Sequence, residues 1–114
     1  MIPIELSSGS RSLRADAYVD SGAFCSLFGQ DSAEELGLNL NYGRKIYFIV
    51  GDGKRIHAQM LKLPVKIGGE SFISEIAFSP GLHVGFNLLG RKGIFEHFEQ
   101  VVFKEQQRKV LFKK

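Results

Sequence analysis

Asp20-Ser21-Gly22-Ala23 carries the side chains in this sequence best suited to chemistry. A carboxylate stands at the end of an alternating strand pattern, followed by a small hydroxyl, a glycine and an alanine. At a sharp turn such an acid can be presented to a cleft. Ser21 can bond across to neighbouring backbone, Gly22 permits close approach of another main chain, and Ala23 leaves space beside the carboxyl. The same residues also fit an Asx-type turn between two strands, in which the carboxylate only braces its own backbone. Cys25 with His57, His83 or His97 offers the residue types of a thiol nucleophile and its base. No local signature joins them, and a lone Cys in an apolar run reads as a buried small hydrophobe. The three histidines fall on different elements without metal-ligand spacing, so no metal is predicted. Gly51-Asp52-Gly53-Lys54 lacks the glycine spacing of a phosphate loop and precedes a strand, so no nucleotide site is predicted either.

The elements that must hold these residues are short and mostly β. Leu13, Ala15, Ala17 and Val19 alternate with Arg14, Asp16 and Tyr18, the period of a half-buried strand running straight into Asp20. Ile2, Ile4 and Leu6 give a weaker version before Ser7-Ser8-Gly9-Ser10, which predicts a hairpin. Phe24 to Phe28 reads as another strand. Asp31 and Glu34 have capping-box spacing, and Gly37 is placed to end a short helix. Lys45 to Val50 and Ile56 to Met60 predict a hairpin with a glycine-rich tip. Leu61, Leu63, Val65 and Ile67 then alternate with Lys62, Pro64 and Lys66, and Gly68-Gly69 turns the chain into Phe72 to Phe78. Pro64 has no N–H, so its nitrogen is expected at an edge. Val84 to Leu89 predicts a strand and Gly90 to His97 a helix, with Val101 to Phe103 and Lys109 to Phe112 closing the chain. Eight or nine strands and two short helices, without repeat or linker, make residues 1–114 one mostly β domain.

Composition bounds the remaining choices. A chain of 114 residues supports one buried core, and 44% hydrophobic with 24% charged residues is the balance of a folded domain. Fifteen Lys and Arg against twelve Asp and Glu give +3, too slight an excess to identify an acidic partner. One cysteine excludes an intrachain disulfide. The longest apolar run, Ile46 to Val50, is far short of the roughly twenty residues of a membrane-spanning helix. The opening Met1-Ile2-Pro3-Ile4-Glu5-Leu6 has neither a basic nor an apolar signal region, so a cytoplasmic location is expected.

Three segments taken in order carry a family resemblance: Asp20-Ser21-Gly22-Ala23, the hairpin around Gly51-Asp52-Gly53, and Leu88-Leu89-Gly90-Arg91 ahead of Gly93-Ile94-Phe95-Glu96-His97-Phe98. Together they resemble the retropepsin-like aspartic proteases over almost the whole chain. The resemblance implies a closed β-barrel half-site with a flap hairpin, completed as a homodimer in which Asp20 meets Asp20 of a second chain. It implies an aspartic endopeptidase acting on peptide or protein substrates without cofactor or metal. Ser21 would brace the paired loops, and Gly22 would offer its carbonyl to substrate. The flap residues Ile49, Val50, Gly51, Asp52 and Gly53 would close over the peptide, and Ala23 and Leu88 would wall its pockets. For Leu88, plain core is an equal reading.

Two departures stand out. Phe24 occupies a place where retroviral members usually carry an acid that pairs with the Arg of the Gly-Arg segment, and Lys92 follows Arg91 where Asn or Asp is common. The resemblance also implies that Lys109 to Phe112 joins Ile2 to Leu6 in a dimer sheet. The main rival reading keeps the fold and discards catalysis, leaving a peptide-binding or scaffold domain. A basic β-barrel binding nucleic acid is disfavoured, because most of the ten Phe fall on apolar faces.

Overall fold

Alternation in the first nineteen residues builds the expected hairpin, β1 (Ile2–Ser8) with β2 (Arg11–Val19), in register from Ile2 against Ala17 to Ser8 against Arg11. The structure is a computed structural model, and it describes residues 1–49, 53, 55–80 and 87–114, the side chain at 48 excepted. Val50, Gly51 and Asp52 of the flap tip therefore lie outside the described residues. The next elements are β3 (Leu27–Gly29), a helix α1 (Gln30–Glu35), a single 3-10 turn (Leu40–Tyr42) and β4 (Arg44–Ile49). They are followed by β5 (Arg55–Ile67), β6 (Glu70–Ser79), β7 (Asn87–Leu89), a second 3-10 turn (Phe95–His97), β8 (Gln100–Lys104) and β9 (Lys109–Lys113).

Seven strands form one sheet in the order β1-β2-β7-β3-β6-β5-β4, and an additional pairing of β1 with β5 closes six of them into a barrel. Closure removes the open edges of the six, leaving β4 as the flank strand of a hairpin with β5. Ile4 and Leu6 of β1, Ala17, Phe28, Leu63, Val65, Ile76, Phe78, Leu89 and Ile94 fill the barrel. Residues next to these in sequence point the other way. Leu27, Ala77 and Leu88, neighbours of Phe28, Ile76 and Leu89, pack in a second cluster with Cys25, Ala58, Met60 and Ile46. One sheet thus carries a core on each face, the smaller one beneath the β4–β5 hairpin.

Several expectations are corrected. The strand read over Phe24 to Phe28 begins only at Leu27, because the preceding residues form an irregular arch. The two strands expected over 56–67 are one strand of 13 residues. Pro64 does meet its expectation, falling where β5 has only β6 as a partner, between its pairings to β4 and to β1. The N-cap of helix α1 is Gly29, which has no side chain to cap with, so the Asp31 capping box does not form. The helix expected over 90–97 is reduced to its final 3-10 turn. Gly93 adopts φ +83, a left-handed conformation no helix propagates, and its N–H is taken by Glu96 Oε1 at 2.8 Å. Within the chain the C-terminal strand β9 pairs with β8, and Ile2 to Leu6 pair with β2 along their length and with β5 only at Glu5 and Leu6. This hairpin is fastened by aromatic contacts, Phe112 lying 4.8 Å from Phe98 and 6.4 Å from Phe95 between ring centroids. No helix among the described residues is long and apolar enough to cross a membrane.

The barrel core makes a stability prediction. Phe28→Ala empties a fully buried position and is expected to cost about 3–5 kcal/mol. Tyr42→Ala, at a side chain 84% exposed, is expected to stay within about 0.5 kcal/mol. Urea denaturation of the two variants against the parent chain measures both.

Candidate active site

β2 and β3 run antiparallel without touching, because β7 lies between them, parallel to β2 and antiparallel to β3. Val19 is in register with Leu89, so the two chains leave the sheet together, one into Asp20 and the other into Gly90. Residues 20–26 must then arch over the end of β7 to reach β3. Main-chain bonds sew the arch to what it crosses. Asp20 N–H donates to the Leu89 carbonyl at 3.0 Å, Arg91 N–H to Ala23 at 3.0 Å, and Lys92 N–H to Phe24 at 2.8 Å. The fully buried Ser26 ties both sides: its Oγ accepts from Gly90 N–H at 3.0 Å and its carbonyl from Ala77 N–H at 3.0 Å.

Gly90 is where the crossing is tightest. A Cβ there would stand 2.4 Å from the Cys25 carbonyl oxygen and 2.8 Å from that of Ala23. Both obstacles are backbone already committed to the arch, so no larger residue fits without displacing it.

Within the arch, Gly22 N–H donates to Asp20 Oδ1 at 2.8 Å and Ala23 N–H to the Asp20 carbonyl at 3.1 Å. The Asx-turn reading is therefore correct as geometry. It fixes the orientation of the carboxyl while leaving Asp20 at the surface. Ser21 and Gly22 are exposed beside it, and Ala23 is half-buried.

The substrate-binding candidates divide. Leu88 is half-buried and packs on the second cluster, on the opposite face of the sheet from Leu89 in the barrel. Ile49 is at the end of β4, paired with Arg55, on the same strand face as Tyr47 and 76% exposed. It is not among the residues packed against the second cluster. Gly53 adopts φ +84. Ile46, on the face of β4 opposite Ile49, packs on the second cluster together with Leu27 and Ala58, none of which was singled out from sequence. Strand parity carried that signal: once Phe28 and Leu89 are assigned to the barrel, their neighbours must line the other face. Ser26 had no sequence signal, since its role depends on a partner 64 residues away.

The thiol reading finds no support in these contacts. Burial pushes the Cys25 thiol up from its ordinary value, with Lys92 opposing, which keeps it protonated and weakly nucleophilic. His57 meets the Tyr47 ring edge-on at 4.6 Å and His97 stacks on Phe72 at 3.9 Å. His83 lies outside the described residues. Among the described residues no three His, Cys, Asp or Glu side chains gather in a way that could hold a metal ion.

Comparison with solved structures places this architecture. The chain superposes on a retropepsin-like aspartic protease from Rickettsia conorii with a TM-score of 0.69 at 20% identity, covering 96% of this chain and 88% of that one. It superposes on the retroviral protease-like domain of Ddi1 from Leishmania major with a TM-score of 0.64 at 16% identity, covering 98% and 87%. No protein-family model and no curated protein sequence matches the chain. The fold is retropepsin-like.

The arch generates two predictions. Ser26→Ala strands the buried Gly90 N–H and is expected to lower stability by about 1–3 kcal/mol. Gly90→Ala, which forces backbone apart, is expected to cost about 3 kcal/mol. Both are read from the midpoint of urea unfolding. Cys25 is expected to alkylate with iodoacetamide at least about ten times more slowly in the folded protein than in denaturant at the same neutral pH, as followed by intact mass.

Proposed function

We propose that the chain is an aspartic endopeptidase that acts as a homodimer, hydrolysing peptide bonds with Asp20 and its counterpart on a second copy. The observation that carries this reading is the Asp20 turn itself, an exposed carboxyl held in fixed orientation on an arch sewn to the sheet beneath. The retropepsin-like fold supports it. One chain supplies one such turn, so a second copy related by a two-fold axis supplies the other.

Two carboxyls brought to one site cannot both ionise cheaply, so the pair holds a single proton, as is described for aspartic proteases generally. The ionised member accepts a proton from a water as that water's oxygen attacks the peptide carbonyl carbon. The protonated member hydrogen-bonds the carbonyl oxygen as charge develops there. Collapse of the tetrahedral species expels the amine, which takes up a proton from the pair, and no covalent acyl-enzyme forms. Gly22 offers its carbonyl to the substrate main chain, and Ser21 braces the two arches against each other. An extended peptide gains main-chain bonds as an added strand does. The β4–β5 hairpin, with Ile49, Val50, Gly51, Asp52 and Gly53 at its tip, closes over the peptide and excludes water. Ala23 and Leu88 contribute apolar wall, and Ile46 and Leu27 extend it.

Asp20→Asn is the test. It is expected to cut peptide cleavage at least about a hundredfold, the scale of a lost general acid–base group. Sedimentation should still give a dimer. The parent chain is expected to show a bell-shaped pH dependence of kcat/KM, whose limbs belong to the pair, and inhibition by a statine-containing transition-state analogue. Undiminished cleavage by Asp20→Asn would overturn the mechanism. A stable dimer that binds peptides but cuts none would leave a peptide-binding domain.

A further inference from the structure

Beside the Asp20 turn the arch exposes a side chain that its own fold does not use. Phe24 is 62% exposed, although its carbonyl is tied down by Lys92 N–H. The Lys92 ammonium stands 5.9 Å from the centre of the Phe24 ring, on the cation side of an aromatic face. Phe24, Arg91, Lys92, Phe95 and Glu96 line an open groove of about 530 Å³. Its lining combines two aromatic rings, two cations and one carboxylate. Glu96 Oε1 accepts the Gly93 N–H at 2.8 Å, and with two cations to one carboxylate the lining keeps a net positive charge. Among the described residues neither Arg91 nor Lys92 forms an ion pair. Aromatic rings beside a net positive charge fit a side chain that has both methylenes and a carboxylate.

We infer that this groove is a specificity subsite for an acidic side chain of the peptide substrate, with Lys92 and Arg91 receiving its carboxylate and Phe24 its methylenes. The inference rests on the peptidase reading of Asp20. Phe24 is four residues from Asp20, a span of at most about 14 Å even if fully extended. A bound strand rises about 3.4 Å per residue. The acidic residue therefore lies no more than about four positions from the bond that is cut. Lys92 and Arg91 act here as specificity-determining residues and take no part in proton transfer.

The test uses a decapeptide library carrying Glu or Lys in turn at each position, cut by the full chain and by Lys92→Glu. The parent is expected to favour Glu over Lys at one position within four residues of the cleaved bond by about fivefold, the scale of one partly exposed ion pair. Lys92→Glu is expected to reverse that preference at that position alone, with Lys92→Gln in between. Cleavage profiles that match at every position would overturn the subsite and leave the peptidase reading intact. A shift of Lys92→Glu to monomer in sedimentation would overturn it as well, by making the groove a contact between copies. Binding separates the two readings if the parent cuts nothing. Fluorescence anisotropy of the labelled decapeptides on Asp20→Asn, with and without Lys92→Glu, then reads the groove alone. Charge discrimination lost in the double variant supports the subsite and sinks the peptidase, whereas no discrimination overturns the subsite.

Discussion

A strand threaded between the arms of a hairpin must end in something thin, and Gly90 supplies it. The arch of residues 20–26 crosses so close above β7 that a single methyl would meet two carbonyl oxygens at 2.4 and 2.8 Å. Everything notable about the site follows from that approach. The arch can come down because Gly90 has no side chain. Having come down, its carbonyls at Ala23 and Phe24 reach the N–H groups of Arg91 and Lys92, and Ser26 reaches that of Gly90. Buried backbone groups that would otherwise lack partners are satisfied by a segment with no regular secondary structure. A loop held in this way behaves as part of the sheet, and a carboxyl mounted on it inherits the sheet's rigidity.

The second consequence is a division of labour between the two faces of the barrel wall. Phe28, Ile76, Phe78 and Leu89 point into the barrel and supply most of the apolar burial. Leu27, Ala77 and Leu88 point outward into a smaller cluster with Ala58, Met60 and Ile46. Half-buried groups such as Ile46 and Leu88 at the border of this cluster present apolar surface next to the Asp20 arch. The residues that fill the barrel and those that build the smaller cluster are therefore alternate members of the same strands.

How far the sequence discloses this depends on the range of each interaction. Local patterns were readable: the β1–β2 hairpin from alternation, the Asp20 turn from its residue types, and the end of α1 from Gly37. The long strand β5 reads as two strands because its apolar parity switches between Met60 and Leu61, where the strand passes from the second cluster to the barrel core while its backbone runs on. The helical spacing of Ile94, Phe95 and Phe98 is real, yet Gly93 at positive φ breaks the helix that spacing suggests. Those side chains reach the core through a turn instead. Ser26 was hidden for another reason. The partner of Ser26 is fixed by the closed topology, and no local preference of serine announces it, whereas β8 and β9 form a local hairpin in a sheet of their own.

Phe24 shows why the arch and its side chains must be considered separately. The backbone at this position is fully specified by its bond to Lys92 N–H, and that bond is indifferent to which side chain Phe24 carries. An acid here would pair with the neighbouring cations and neutralise the groove. Phenylalanine does the reverse: it leaves Arg91 and Lys92 uncompensated and adds an aromatic face that attracts the Lys92 ammonium without removing its charge. A single residue change on a rigid arch thus alters the charge presented beside the Asp20 turn while every hydrogen bond that holds the turn stays in place.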